Sequence, residues 1–243
     1  MQADLLPRDV PLDLALALAV TIRHDGQGGI ADDLAEPEGL TRWVRQRADA
    51  PRSGGAASGA RGRGGSDGPG ELHEVHDLRE VHDLREFRDF RADAASLAAV
   101  VEVRTAIRAL FARAVLPGEP SSADAGRLPD AGAALERLNA AAALVPVVPR
   151  LDWPQDGPPA ARYAVPGGPG PADRLAAALA RAAIAFLAGP DRARLKACPA
   201  PRCVRYFVKQ HARQEWCKPS CGNRARVARH HARRRPQPPT DPA

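Results

Sequence analysis

The four cysteines of this 243-residue chain lie close together near its end, at a spacing suited to one metal ion. Cys198 and Cys203 form a C-x4-C pair, Cys217 and Cys221 form a C-x3-C pair, and thirteen residues separate the pairs. A pair at such spacing can turn the chain so that both thiolates face one ion. Two pairs supply the four soft ligands of a tetrahedral zinc site. The spacing therefore predicts one structural Zn²⁺ ion, with no coordination position left for catalysis.

Two other states of the cysteines are compatible with the sequence. They could form two disulfides, or they could remain unligated buried thiols. The sequence shows no secretory signal, so we expect a reducing, cytoplasmic location, which favours metal over disulfides. His211 lies between the two pairs as a rival ligand, but a solvated or capping histidine is the simpler interpretation.

Short elements around the cysteines must hold the two pairs together. Residues 204–208 have the composition of a strand, and residues 209–215 are polar enough to form the tip or return of a hairpin. Trp216 lies beside the third cysteine, where a large ring can shield thiolates from water. A helix would then start with Ser220 as its N-cap, so that Cys221 lies in the first turn. The expected order is a turn that carries the first cysteine pair (a knuckle), a hairpin, a second knuckle with the second pair, and the helix.

The helix expected after Cys221 is rich in arginine and ends before Pro236. From Arg194 to Arg235 the chain has thirteen Lys and Arg residues against a single acid, Glu215. The whole chain has a formal charge of +6, so the other 201 residues carry 22 bases against 28 acids. Such concentrated positive charge is typical of nucleic-acid-binding surfaces, because arginines pair with phosphates and release counterions. A solubilising tail, or one that docks on the acidic remainder of the protein, is the alternative.

The predicted contacts to nucleic acid come from this helix and from the segment before it. Basic side chains would meet phosphates, while Asn223 could read a base edge or serve as a local cap. The candidate residues are Arg205, Arg213, Lys218, Asn223, Arg224, Arg226, Arg229 and Arg233. DNA is the expected partner. The alternatives are RNA, with Tyr206, Phe207 or Trp216 stacking on bases, and a protein-interaction module.

A resemblance to a known family rests on the residues that flank the last cysteines. The chain has Trp216-Cys217, then CGNR at 221–224, then the arginine-rich helix, and over 196–235 it resembles the CGNR zinc-finger family of bacterial proteins. In that family a four-Cys module of zinc-ribbon or treble-clef type follows an N-terminal domain called ABATE, associated with stress-induced transcription regulation. The segment LDLA at 12–15 is similar to the start of that domain. The resemblance implies a DNA-binding regulator whose first domain senses a small-molecule effector or forms a homodimer.

The rest of the sequence predicts a mainly helical N-terminal domain with a small β-hairpin, so the whole chain is expected to be α+β and mainly α. Apolar periodicity predicts helices over 12–22, 33–44, 92–115, 131–144 and 171–187, and strands over 145–148 and 161–165. The expected divisions are an ABATE-like domain at 1–190, the zinc finger at 191–235 and a disordered tail at 236–243.

Two segments of the first domain depart from globular composition. Residues 50–70 are rich in glycine with little to bury, which predicts a disordered insertion. The hexapeptide EVHDLR occurs at 74–79 and 80–85, with a degenerate copy at 86–91. These copies predict an exposed helix that continues into the next one and spans 71–115. Metal binding by the histidines of the repeat is the alternative.

No motif predicts catalysis or a membrane span. The sequence lacks a Gly-rich phosphate loop after a strand, a serine nucleophile elbow and an HExxH motif, and its only cysteines are those of the metal pairs. The apolar run at 12–22 is too short to cross a bilayer and lacks a basic leader. We therefore expect a cytoplasmic binding protein that is not an enzyme.

Overall fold

Six α-helices and seven short strands make up the described part of the chain, which confirms the predicted α+β, mainly α class. The computed structural model describes residues 13–27, 29–49, 73–75, 84–124, 126–165 and 168–234. The helices are α1 Leu14–Ala19, α2 Pro37–Ala48, α3 Ala94–Ala114, α4 Ala131–Ala143, α5 Pro171–Ala188 and α6 Pro219–Arg234. The strands are β1 Ile22–His24, β2 Ile30–Asp32, β3 His73–Val75, β4 Val148–Asp152, β5 Ala160–Val165, β6 Leu195–Ala197 and β7 Tyr206–Val208. The insertion predicted at 50–70 and the tail predicted at 236–243 lie outside the described residues.

The strands form three small antiparallel sheets. β1 pairs with β2, β5 lies between β3 and β4, and β6 pairs with β7. The strand predicted over 161–165 is confirmed as β5. Its predicted partner over 145–148 is displaced along the chain, because β4 begins only at Val148, which lies opposite Ala164. β4 lies at the edge of its sheet, where a proline such as Pro149 is tolerated because its missing N–H can lie on the side with no neighbouring strand.

α3 and α5 build the centre of the hydrophobic core. The apolar face predicted over 92–115 is confirmed in α3, where Val100, Ile107 and Phe111 are fully buried. α5 is rich in alanine and packs closely against this face, and the rings of Phe111 and Phe186 lie 5.2 Å apart between centroids. α1 and α4 complete the bundle around these two helices.

α2 closes one side of the core with the face that its spacing predicts. Leu40, Trp43 and Val44 are all buried. The helix begins at Pro37 and not at Asp33. Proline suits the first helical position, since its missing N–H would have no partner there and its fixed φ matches the helix.

The continuous repeat-bearing helix predicted over 71–115 is wrong. His73–Val75 form β3 and pair with β5, Leu84–Phe87 form a 3₁₀ turn, and α3 begins only at Ala94. A 3₁₀ helix has three residues per turn, so it can bury every third side chain on one side. Leu84 and Phe87, the first and last residues of that turn, are buried, as is Phe90 three residues further along the chain. The remainder of the repeat lies outside the described residues.

The first helix is shorter than the apolar run that predicts it over 12–22. α1 begins after Asp13, whose carboxylate accepts a hydrogen bond from the N–H of Ala15, and it ends at Ala19. Ile22 already belongs to β1. The residues that follow α1 are β-branched and favour extended backbone, so the helix gives way to a strand.

The described helices carry limited apolar surface on their outer sides. Leu138 of α4 is buried, while Leu135 of the same helix is 49% exposed and Leu144, which follows it, is 46% exposed. Ile184 of α5 is also exposed. None of the helices in the described ranges has both the length and the hydropathy needed to cross a membrane.

Candidate metal centre and basic helix

The first cysteine pair lies in the turn of a short hairpin. β6 and β7 pair antiparallel, and Cys198 and Cys203 lie in the connection between them. The N–H of Cys198 donates to the carbonyl of Arg205 over 2.9 Å, which closes the hairpin beside the pair. The strand predicted over 204–208 exists, but its return through 209–215 is wrong. The partner strand lies upstream, so the knuckle itself is the turn of the hairpin.

The second pair is fixed by the start of α6. Cys221 lies in the first helical turn, as predicted, and its N–H donates to the carbonyl of Lys218 over 3.1 Å. The prediction of Ser220 as N-cap is wrong, because Pro219 already occupies the first helical position. Cys217 lies two residues before the helix, so one helix start positions both thiols.

The four sulfur atoms form a compact cluster that fits a tetrahedral metal site. All four lie within 4.8 Å of one another. The Sγ of Cys217 lies 3.7 Å from that of Cys203 and 3.6 Å from that of Cys221. A tetrahedron with metal–sulfur bonds of about 2.3 Å has sulfur atoms about 3.8 Å apart. These distances are also far beyond a disulfide bond of about 2.05 Å, and all four cysteines are free.

Close packing of the sulfur atoms shifts the ionisation of the thiols. Hydrogen bonding with Cys203 lowers the pKa of Cys198 to about 7, and hydrogen bonding with Cys198 lowers the pKa of Cys221 to about 7. The pKa of Cys217 is raised, because its thiol hydrogen-bonds to the other three. Each additional thiolate adds negative charge that a cation would offset, so metal binding at this cluster would be coupled to proton release.

The residues around the last cysteine pack against the cluster. Trp216 covers it from one side, as predicted. A Cβ on Gly222 would lie 2.9 Å from the Cδ1 of Trp216, so glycine is required for the ring to take this position. Arg224 donates from Nη2 to the Sγ of Cys221 over 3.2 Å. Glycine therefore makes room for the shielding ring, and the arginine offsets charge on a ligand sulfur.

Two alternatives from the sequence lose support in this geometry. His211 is exposed and is not part of the four-sulfur cluster. Tyr206 and Phe207 are buried, and Trp216 is half-buried against the cysteines. Of the three rings that we considered as a stacking platform for RNA bases, those of Tyr206 and Phe207 are therefore inaccessible to a base.

α6 is held by one face and exposes the other. Cys221, Gly222 and Ala225 are buried against the metal centre. The exposed candidates for nucleic-acid contact are Arg213, Asn223, Arg226, Arg229 and Arg233, while Arg205, Lys218 and Arg224 are partly buried. Arg226 donates to the side-chain oxygen of Asn223. Arg224 also contacts the Sγ of Cys221, and its role as a phosphate contact stays a prediction.

A buried polar network, which no sequence motif predicts, joins the hairpin that carries the first cysteine pair to the helical bundle. The hydroxyl of Tyr206 in β7 donates to Asp124 over 2.6 Å, and Nε of Arg108 in α3 donates to the other oxygen of the same carboxylate over 2.7 Å. The side chain of Arg108 is 1% exposed and that of Asp124 is 3% exposed. Ser121 donates to the carbonyl of Val204 over 2.9 Å. The network therefore satisfies a buried charge pair and anchors the hairpin at the same time.

The hairpin is part of the main core and not a separate unit. Leu195 of β6 and Tyr206 of β7 belong to the core cluster of the bundle, and the rings of Tyr206 and Phe111 lie 5.5 Å apart. Burial raises the pKa of Tyr206, and the nearby carboxylate of Asp124 raises it further. The phenol therefore remains a hydrogen-bond donor throughout the physiological range. An arginine such as Arg108 within an apolar helical face is the one signal that could have indicated such a network.

Comparison with protein families matches both parts of the chain. Residues 12–190 match a family described as "Putative stress-induced transcription regulator", ABATE, and residues 194–234 match the CGNR zinc finger. The second match contains all four cysteines and the whole of α6. A comparison with curated proteins found no match. The resemblance inferred from the sequence is therefore confirmed for both segments.

Proposed function

Because the chain belongs to the ABATE family and ends in a CGNR zinc finger, we propose that it is a cytoplasmic, zinc-dependent regulator of transcription that binds duplex DNA through α6. The observation that carries the proposal is the concentration of positive charge along α6, whose first turn contributes Cys221 to the four-cysteine cluster. The role is one of binding and not of catalysis.

Zinc is the ion that best suits the four-sulfur cluster. Four thiolates in a tetrahedral arrangement select zinc among the ions common in cells, and a closed set of four protein ligands is typical of structural sites. The resident ion would link the turn of the β6–β7 hairpin to the start of α6. Few apolar side chains lie between these two elements, so most of the free energy that holds them together would come from the metal.

α6 has the shape and charge for contact with DNA. Its sixteen residues span about 24 Å, and the major groove admits an α-helix. Arg226, Arg229 and Arg233 are exposed and meet no acidic partner among the described residues. Phosphate contact from these side chains would release counterions and supply most of the affinity. Val227 is 56% exposed on the same helix and is suited to apolar contact with a thymine methyl group.

Salt-dependent binding of the zinc-loaded full chain to duplex DNA tests the proposal. We expect Arg226→Ala/Arg229→Ala/Arg233→Ala to weaken binding at least tenfold in 100 mM salt. The slope of log K against log salt should fall by about 3, because each phosphate contact contributes about 0.9. A matched control removes three exposed arginines of the helical domain, Arg42→Ala/Arg113→Ala/Arg127→Ala, and should bind nearly as well as the unmodified protein.

Two results would refute this proposal. One is the absence of duplex binding even in 20 mM salt, and the other is an equal loss of affinity in the control. Competition with structured RNA distinguishes DNA binding from RNA binding. A DNA-binding protein should be displaced from labelled duplex less by structured RNA than by unlabelled duplex. Selection from random duplexes would then identify the target site.

A further inference from the structure

β4 is an exposed edge strand with an apolar side. All five of its residues, Val148–Asp152, are exposed, and within the described residues β5 is its only strand neighbour. Leu151 is 71% exposed, and Trp153, which follows the strand directly, is 68% exposed. An edge strand presents unpaired N–H and C=O groups that can pair with another strand. Large apolar side chains beside such an edge are typical of a site of association.

The two sides of the strand differ in chemistry. Side chains alternate along a strand, so Pro149, Leu151 and Trp153 lie on one side, while Arg150 and Asp152 lie on the other. One side is therefore apolar, and the other carries a positive charge at Arg150 and a negative charge at Asp152. When a second β4 runs antiparallel beside the first, each positive charge can lie opposite a negative one.

We propose that β4 pairs antiparallel with β4 of a second copy of the chain, about a two-fold axis at Leu151. In this register Arg150 lies opposite Asp152 of the second copy, and the symmetry forms this charge pair twice. Leu151 lies opposite Leu151 of the second copy, and Pro149 lies opposite its Trp153. Cross-strand pairs of opposite charge and of apolar side chains are those that stabilise antiparallel sheets.

Neighbouring registers are excluded by the same residues. A two-fold axis at Arg150 would place two arginines opposite each other, and an axis at Asp152 would do the same with two aspartates. A shift by one residue would set the apolar side of one strand against the charged side of the other. Pro149 cannot donate to the new ladder, so side-chain contacts must contribute much of the affinity. The three-stranded sheets of the two copies would then join into one six-stranded sheet. The contact would be isologous, as is usual for dimers.

Sedimentation equilibrium of the full, zinc-loaded chain between 1 and 100 µM tests the pairing. We expect a concentration-dependent dimer of twice the 25.8 kDa chain mass. Leu151→Glu should yield monomer across the range. Leu135→Glu, at an exposed leucine of α4, is the matched control and should leave the dimer intact. Circular dichroism of both variants verifies that they remain folded.

Charge exchange gives the more specific test of the register. Arg150→Glu alone should raise the dimer Kd at least tenfold, because it places an acid opposite Asp152 of the second copy in both symmetry-related pairs. Arg150→Glu/Asp152→Arg restores opposite charges and should return the Kd to within threefold of the unmodified protein. A monomer at every concentration, a dimer that survives Leu151→Glu, or a double variant no better than the single one would each overturn the pairing. DNA binding by α6 is measured separately, so failure here leaves the proposed function untouched.

Discussion

Among the described residues, the core around α3 and α5 contains 31 buried residues, whereas the cluster at the candidate metal centre contains only Ala200 and Phe207 besides three of the cysteines. The first region is held by burial of apolar surface, which is spread over many side chains, so each side chain contributes only part of the stability. The second depends on four sulfur atoms that act as a unit. The comparison shows that one chain uses two different sources of stability, which should respond to different perturbations.

Loss of one metal ligand should have the largest effect. We expect Cys221→Ser to abolish tight zinc binding, since structural zinc contributes on the order of 10 kcal/mol in zinc-finger peptides. The bundle should persist, because its core does not include the cysteines. Zinc stoichiometry and hydrogen exchange of α6 measure the outcome, with the exposed neighbour Ser220→Ala as control. Loss of protection throughout α3 and α5 would contradict the division into two sources of stability.

Truncation of a buried leucine should affect the other region. Leu179 of α5 is fully buried, and Leu179→Ala should lower the free energy of unfolding by about 2–5 kcal/mol through lost burial and a residual cavity. Urea denaturation followed by circular dichroism measures this change. Ile184→Ala, at an exposed position of the same helix, should cost less than about 1 kcal/mol. An equal loss of unfolding free energy at Leu179 and Ile184 would contradict the difference in burial between the two positions.

Removal of one hydroxyl tests the connection between the regions. Tyr206→Phe leaves the ring in the core but deprives Asp124 of a donor, and we expect a loss of about 1–3 kcal/mol in unfolding free energy. The variant should also raise hydrogen exchange in the β6–β7 hairpin while zinc stays bound. A double-mutant cycle with Ser121→Ala, which removes the bond to Val204, measures the coupling. Strict additivity would show that the two bonds act independently.

The smallest effect concerns acid stability near β2. Burial opposes ionisation of Asp32, but its hydrogen bonds with Arg104 and the Leu34 N–H outweigh burial, so its pKa lies below the usual value. A depressed pKa stabilises the fold above the unfolded pKa of about 3.9, and the contribution is lost as pH falls through the folded pKa. Asp32→Asn should therefore cost about 1 kcal/mol or less at pH 7, given its partial exposure. The difference in urea midpoint should vanish near pH 2, and a constant difference would disprove the link to ionisation.

The sequence predicts local features well and distant pairings poorly. The metal ligands follow from cysteine type and spacing, and the buried side of α3 follows from periodicity, because both depend on residues close in the chain. The pairing of His73–Val75 with β5 joins segments about ninety residues apart, and no local pattern specifies it. The bond between Tyr206 and Asp124 spans 82 residues and is set by how the hairpin packs. Ser220 was misassigned because an adjacent proline is an equally good helix start.

The anchoring of the β6–β7 hairpin has a mechanical consequence. The strands on both sides of the first cysteine pair are embedded in the bundle, and the ion would tie that turn to the first turn of α6. With the ion bound, the arginine-bearing helix would therefore keep a fixed orientation to the bundle. The angle at which it meets a partner would be set by the packing of the hairpin against α3.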